Sequence, residues 1–596
     1  MKNLPATFSR FPPAIGAGLL LAASFPWFSL AGFAWIAPGL LLAAALGRPG
    51  AESFRLGYAA GLAHYLTSLY WLLLIPYRWH SIPLGPAFGW LALSAYLALF
   101  PAAWVWLAMK VFSFGFRVSS SAAAQPDIHG ALSSPSPPPK EERAGVRRPF
   151  ASSSNPLTPA LSPLGRGEGV AAALEAIAAW SWSRRLGWTL FCAASWVAME
   201  MVVVRLLGGF PWNLLGTSQY QMLPLIQLAS ITGVHGVAFL VVWTSVSLLG
   251  AAAVIVHRPQ VRSVWLGEII LPMLAVAGAF TFGFHQISRT SPASRSLRVT
   301  LIQPSIPQTL IWDSANNQER FHELLRLSGQ ALTNETDLLV WPEAALPKML
   351  RYDEEILNGV TQLARAHRVW MIVGSDDAEP ARSSSDPPAT RYFNSAFLIS
   401  PQGEIVARYC KRNLVIFGEY IPLVRWLPFL KWFTPIDGGF TAGEAAAQFE
   451  LPDLKIKIAP LICYEDTFPQ FGRAGAAGDT DLLVNLTNDG WFGEGAAQWQ
   501  QAAGAAFRAV ENGLPLLRCA NTGLTCWMDA NGAIREMFTD QSGGIYGAGF
   551  MTVKIPLTEK REPTFYQQHG DWFGWSCVML TLLGLGRGLF ARRAAR

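Results

Sequence analysis

One thiol closes the run Leu461-Ile462-Cys463, directly after the apolar, strand-like stretch 455–461, and Tyr464-Glu465-Asp466 follow it. Upstream lie one carboxylate, in Trp341-Pro342-Glu343, and one amine, in Tyr409-Cys410-Lys411. Taken singly each has a plain reading: a cysteine after a strand as core filler, Glu343 as a cap, Lys411 with Arg412 as a solvated pair. Together they are more specific. A thiol needs a base to become a thiolate at neutral pH, and a carboxylate in a partly apolar pocket can serve. The tetrahedral intermediate then needs a fixed positive donor, which a lysine provides. Such a set can form and discharge a thioester.

The elements that must hold these groups are legible around them. Strand-like runs fall at 297–303, 337–341, 369–374, 393–400, 405–409, 455–463, 481–486, 514–519 and 547–555, with helical periodicity at 316–333, 353–367 and 496–512. This alternation predicts a layered α/β sandwich with chemistry at the strand ends. Glu343, Lys411 and Cys463 all sit at such ends.

The rest of the chain is apolar. Half of the 596 residues are hydrophobic (51%) and few are charged (14%), the balance of a polytopic membrane protein with one water-facing domain. Stretches able to cross a hydrocarbon core of ~30 Å occur at about 12–29, 31–47, 56–76, 86–112, 186–206, 221–254, 264–286 and 571–590. The first is read as an uncleaved span, because more apolar segments follow at once. If eight spans alternate, nearly all basic residues of the short loops, of the 117–184 segment and of the C-terminal tail fall on one side. By the positive-inside rule both termini are then cytoplasmic and the sandwich lies outside, at the periplasmic face of an inner membrane. Residues 117–184 are rich in Ser, Pro, Ala and Gly and are expected to be a disordered cytoplasmic insertion. The divisions expected are 1–116 (spans one to four), 117–184, 185–290 (spans five to seven), 291–565 (catalytic domain) and 566–596 (last span and basic tail).

A net charge of +6, with cations beside spans and no basic face interleaved with aromatics, argues against nucleic acid. The six cysteines make no C-x-x-C pair and no Cys/His metal spacing, so neither a disulfide scaffold nor a metal is expected. Glu200 and Arg205 lie in or near the fifth span at i,i+5, which does not assure a helical pair; a tether for the loop around Phe210-Pro211-Trp212 is expected instead. Between 424 and 433, Trp426, Phe429, Trp432 and Phe433 stand among two cations, which suits rings at headgroup depth and predicts a lipid-contact loop.

Trp341-Pro342-Glu343, Tyr409-x-Lys411, Phe417-Gly418-Glu419-Tyr420-Ile421-Pro422, Cys463-Tyr464-Glu465-Asp466 and Asn488-Asp489-x-Trp491-Phe492-Gly493 resemble the nitrilase (carbon–nitrogen hydrolase) superfamily, with its Glu-Lys-Cys triad. With the spans, with Ile302-Gln303-Pro304 leading to Trp312, and with Arg508-Ala509-Val510-Glu511, the chain is similar to the bacterial apolipoprotein N-acyltransferase family. The resemblance covers nearly everything outside 117–184. It implies an α-β-β-α sandwich, Glu343 as general base, Lys411 as oxyanion donor and Cys463 as nucleophile. Phe417, Glu419, Tyr464, Glu465 and Trp491 would support the site or bind substrate, and Trp312 would shape access. It further implies ping-pong transfer, without a cofactor, from a phospholipid to the α-amine of a diacylated apolipoprotein. Asn413, Ile416 and Trp499 depart from the family's usual basic residue, proline and histidine, and bear on substrate preference. A membrane-tethered amidase and a non-catalytic lipid-binding protein are the competing readings.

Overall fold

The computed structural model describes residues 10–76, 84–122, 168–260, 262–289, 294–311, 313–380, 390–422, 424, 426–429, 439–558 and 561–594. Its helical part comprises α1 (Phe11–Ala23), α2 (Ala37–Ala45), α3 (Gly50–Ser68), α4 (Gly85–Leu97), α5 (Leu99–Ala122), α6 (Glu168–Ala179), α7 (Trp182–Val203), α8 (Leu223–Ile226), α9 (Ala229–Thr232), α10 (Val234–His257) and α11 (Arg262–Ser288). The sandwich follows: β1 (Arg295–Gln303), α12 (Asn317–Ala331), β2 (Leu338–Val340), α13 (Glu354–His367), β3 (Trp370–Pro380), β4 (Thr390–Ile399), β5 (Ile405–Cys410), β6 (Phe449–Leu451), β7 (Ile456–Ile462), α14 (Pro469–Gly475), β8 (Leu482–Thr487), α15 (Ala497–Asn512), β9 (Leu516–Ala520), β10 (Cys526–Met528), β11 (Ile534–Met537) and β12 (Gly549–Leu557). The short α16 (Phe565–His569) leads into α17 (Trp572–Ala594).

Among the described residues, four helical stretches are long and apolar enough to cross a membrane: Gly85–Ser113, Trp182–Val203, Val234–His257 and Ser263–Ser288. The first two predicted spans are shorter as helices than the apolar text suggests. With 13 residues in α1 and 9 in α2, they rise roughly 20 and 14 Å at 1.5 Å per residue. The predicted span 221–254 is also not continuous, because Gly233 at φ +68° breaks it and only α10 is long. Of the expected insertion, residues 123–167 lie outside the described residues, whereas its flanks are helical. In α6, Ala173 and Ile177 are buried in the bundle core, a correction to the broader segment.

Two six-stranded sheets stack, in the orders β12-β1-β2-β3-β4-β5 and β11-β10-β9-β8-β7-β6. Leu297, Val299, Val340 and Ile372 of one sheet meet Ile458, Ile462, Leu482 and Val484 of the other in a closed apolar layer. The outer face of the first sheet is covered by α12 and α13. Helix α13 forms where the sequence has every terminal signal: Asp353 accepts from Ile356 N at 3.1 Å, Glu354 and Glu355 occupy the first turn, and Arg365 and His367 the last. The outer face of the second sheet is covered by the alanines of α15, Ala502, Ala505, Ala506 and Ala509, while Ala503, Phe507 and Val510 of the same helix pack on the bundle. Small side chains let one helix serve two cores. The predicted helices and the longer strands match this arrangement; β6, β10 and β11, of three or four residues, carry too few alternations to read.

The joint between sandwich and bundle is polar as well as apolar. Gln500 donates to Pro26 O (2.7 Å), just beyond α1, and to Ser68 O (3.0 Å), the last residue of α3, and accepts from Trp71 Nε1 (3.1 Å). Val234 N at the start of α10 donates to Glu511 (2.8 Å). Arg205 pairs with Asp571, not with Glu200. Glu200 instead accepts from Leu215 N (2.8 Å) and Trp196 Nε1 (3.0 Å), tethering the loop that carries Trp212.

Candidate active site

Three strand ends converge at one edge of the inter-sheet layer. Beyond β2, Trp341 N still bonds Ile372 O (2.8 Å), so Glu343 follows at the strand terminus and is 7% exposed. Beyond β5, Lys411 N bonds Asn394 O (2.8 Å), which fixes a side chain that is 1% exposed. Beyond β7, Cys463 turns sharply with φ +58°. That conformation is costly for a residue with a Cβ and persists only where surroundings enforce it. Here Asn485 Nδ2 (2.9 Å) and Gln501 Nε2 (3.0 Å) both donate to the Cys463 carbonyl. Both side chains are held in turn by Asp466, which is paired with the fully buried Arg518; Arg518 also reaches Asp489 at 3.4 Å.

Lys411 Nζ lies 3.1 Å from Glu343 Oε1 and 2.9 Å from Glu419 Oε1. Asn394 Nδ2 donates to the same two oxygens, at 2.7 and 3.1 Å. Glu343 Oε2 is buried and unbonded, free to take a proton. Burial pushes the Cys463 thiol well above its ordinary value, Glu343 adds to that push, and Lys411 opposes it. Burial pulls the Lys411 pKa down, yet Cys463, Glu343 and Glu419 hold it well above the usual lysine value. The site thus combines a thiol held toward its protonated form, a Glu343 oxygen without a donor and an amine held toward its cationic form. Such a set can take the sulfur proton as sulfur attacks, and it offers a positive group for the oxygen charge that follows.

Glu465 is wholly buried and joins the two sheets. Its Oε1 accepts from Arg412 N (2.7 Å) and Asn413 N (3.1 Å), its Oε2 from Ile462 N (2.9 Å) and Tyr409 OH (2.7 Å). The stretch carrying Lys411 is thereby clamped to the turn carrying Cys463. Tyr464 donates to Leu414 O (3.0 Å) and sets its ring 5.6 Å from Lys411 Nζ. Glu419 Oε2 accepts from Val415 N (2.8 Å), which shapes the loop through the half-exposed Phe417. Trp491 is in the short turn Asp489–Phe492; its neighbour Phe492 packs on Trp71 and Trp212 of the bundle at ring distances of 4.7 and 5.6 Å. Of the proposed lipid-contact loop, Trp426 is 82% exposed and Phe429 46% exposed, while Trp432, Phe433 and also Trp312 lie outside the described residues.

Sequence reasoning missed Asn394, which only strand pairing brings to the cluster, and the pairing of Arg518 with Asp466 and Asp489. It also missed Gly374: a Cβ there would overlap the Pro342 carbonyl and stand 2.9 Å from Glu343 Cα. Gly374→Ala is expected to push Glu343 off Lys411 and cut turnover per folded molecule about 100-fold, the scale of a displacement near 1 Å, and to lower the thermal midpoint because the overlap is with backbone; steady-state kinetics beside a thermal melt would check this.

Residues 298–549 match the carbon–nitrogen hydrolase family and residues 150–247 match the apolipoprotein N-acyltransferase N-terminal domain. The apolipoprotein N-acyltransferase of Geobacter metallireducens is 33% identical over 571 residues, spanning 95% of this chain and 92% of that one. The chain belongs to the apolipoprotein N-acyltransferase family. It is therefore an acyltransferase with a nitrilase-like domain attached to apolar helices. Other members of the family, from Azotobacter vinelandii (33% identical; 71% of this chain, 78% of that one) and Brucella melitensis (32%; 69% and 75%), align over less of it. Among solved structures, a mutant of the Nesterenkonia AN1 amidase from the nitrilase superfamily matches 47% of this chain and 95% of its own at TM-score 0.34 and 17% identity, too slight a likeness to add to the assignment.

Proposed function

We propose that this acyltransferase moves a fatty acyl chain from a phospholipid to the α-amine of an N-terminal S-diacylglyceryl cysteine on a lipoprotein, through a thioester on Cys463. The observation that carries the reading is the buried grouping of Glu343, Lys411 and Cys463 at a sandwich edge beside a helical bundle. Glu343 Oε2 takes the thiol proton as Cys463 attacks the ester carbonyl, and Lys411 stabilises the oxyanion. Glu343 returns the proton to the departing lysophospholipid. The amine then attacks the thioester, giving the N-acylated, triacylated product. Glu419 and Asn394 keep Glu343 and Lys411 in register, and Glu465 keeps the two sheets in register.

Eight alternating apolar segments fit the same reading: the long helices α4–α5, α7, α10 and α11, and with them α1, α2, α3 and α17, of which α1 and α2 are too short as helices to cross without their flanking residues. The joints at Pro26, Ser68, Val234 and Asp571 lie at the sandwich end of their segments. At the far end, Arg10 donates to Leu46 O (2.7 Å) and Arg185 pairs with Glu268 (2.7 Å). Basic residues at that far end support cytoplasmic termini and a periplasmic sandwich. Trp426 and Phe429 suit a loop that meets headgroups as acyl chains approach.

Mass spectrometry of the purified protein in phospholipid micelles tests the proposal. One acyl adduct on Cys463 is expected, stable until a diacylated lipopeptide is added. Release as free fatty acid at the same rate without lipopeptide would favour the amidase reading, and no adduct would leave only lipid binding.

A further inference from the structure

A third carboxylate stands at the cluster and the mechanism above does not use it. In the ladder between β3 and β4, Asp376 is the direct partner of Asn394. Directly paired residues put their side chains on one face of the sheet, about 5 Å apart. On that face Asn394 Nδ2 bonds Glu343 and Glu419. Two residues earlier on the same face of β3, Gly374 leaves the room that the Pro342–Glu343 backbone fills. The next outward position beside Glu343 is therefore Asp376, which is half-buried.

We propose that Asp376 receives the ammonium of the acyl acceptor, holding the cation beside the thioester and taking one of its protons. The inference rests on the acyl-transfer reading above. An α-amine has an ordinary pKa near 8, so at neutral pH it arrives mostly protonated and unable to attack. In the transfer step the ammonium gives one proton to the Asp376 carboxylate, and the free amine forms the C–N bond as the C–S bond breaks. The second nitrogen proton passes by Glu343 to the departing thiolate, restoring Cys463 as a thiol, and Asp376 releases its proton to water. Nothing else is consumed.

The charges around the group fit that task. Among the described residues, Asp376 is faced by Glu343 beyond β2 and by Glu419 and Lys411 beyond β5, while its neighbour Asp377 lies on the opposite face of β3, paired with Arg351 and Arg408. Burial and then the Glu343 and Glu419 charges push its carboxyl up to about 7, with Lys411 opposing. Glu343 and Glu419 already share the one ammonium of Lys411. Ser375 donates to the Asp376 backbone carbonyl (2.9 Å), while the Asp376 carboxylate has no hydrogen bond from a described residue, so an incoming cation meets a carboxylate not yet engaged by them. Its proton affinity is also near that of the amine it must deprotonate.

The experiment is a single-turnover discharge of the preformed acyl-enzyme, using full-length protein in phospholipid micelles. Two nucleophiles are compared: a synthetic diacylated lipopeptide with a free α-amine, and hydroxylamine, which is uncharged at neutral pH. In Asp376→Asn the thioester should still form, discharge to the lipopeptide should slow about 100-fold, and discharge to hydroxylamine should keep its rate. The wild-type lipopeptide rate should climb through about pH 7 as Asp376 loses its proton, and the variant should lack that limb. Asp376→Glu should recover part of the rate. Equal slowing with both nucleophiles would mark a structural role and overturn the proposal, as would an unchanged lipopeptide rate. A wild-type protein that forms no adduct would overturn the thioester reading itself, and that failure shows before any acceptor is added.

Discussion

Cys463→Ser is expected to lower acyl transfer by about four orders of magnitude or more and to leave no acyl adduct. A hydroxyl is far harder to deprotonate than a thiol, and the thiol here is already pushed upward by burial and by Glu343. Glu343 has only one unbonded oxygen to offer, because Lys411 and Asn394 occupy the other. A carboxylate so placed can assist a thiol in attack and cannot usefully assist an alcohol. Glu343→Gln should fall nearly as far, since it removes the base and leaves Lys411 with one carboxylate less. The double variant should fall little further, because the groups act as a unit. Pre-steady-state kinetics with labelled phospholipid measure all three. A serine variant with more than about a hundredth of wild-type turnover would mean that Cys463 is not the nucleophile.

The largest expected effect on stability is at Arg518. Its guanidinium is fully buried with Asp466 and Asp489, themselves fully buried. Replacing one partner of a buried ion pair costs about 3–5 kcal/mol, most of it from the charges left unpaired. Arg518→Met should therefore lower the thermal midpoint sharply at neutral pH. The pH dependence has a definite sign. Burial pushes Asp466 up to about 6 even with Arg518 opposing, and burial raises Asp489 with Arg518 likewise opposing. Without the cation both carboxyls bind protons more tightly in the folded state, so the variant's deficit should grow as pH rises above about 6 and shrink as pH falls. Melts across that range, read beside wild type, check it. A deficit independent of pH would point to lost packing instead. Activity should fall as well, because Asp466 orders Asn485 and Gln501, which hold the Cys463 turn.

These two sites show how differently the chain's features can be read. Cys463, Glu343 and Lys411 stand out in the text because each ends a strand-like run and each carries a reactive group. Arg518 lies inside the apolar run of β9 and gives no such sign, since a buried cation is recognisable only by its partners. The expected continuous span at 221–254 failed for a local reason: hydropathy registers apolar content and not backbone conformation, and Gly233 at positive φ ends one short helix and starts another within that content.

The sequence by itself determined the division into apolar spans and an α/β sandwich, the longer strands and helices, and the three reactive groups. Periodicity, composition and strand-end position are properties of neighbouring residues. Only the tertiary structure decided that Glu343 and Glu419 share Lys411, that Asn394 and Asp376 stand together across the β3–β4 ladder, that Glu465 ties one sheet to the other, and that Glu200 tethers a loop while Arg205 turns to Asp571. Those facts depend on register between strands far apart in the chain. Moving a strand by one residue would turn every one of its side chains to the opposite face, and no local pattern records which register the packed core selects.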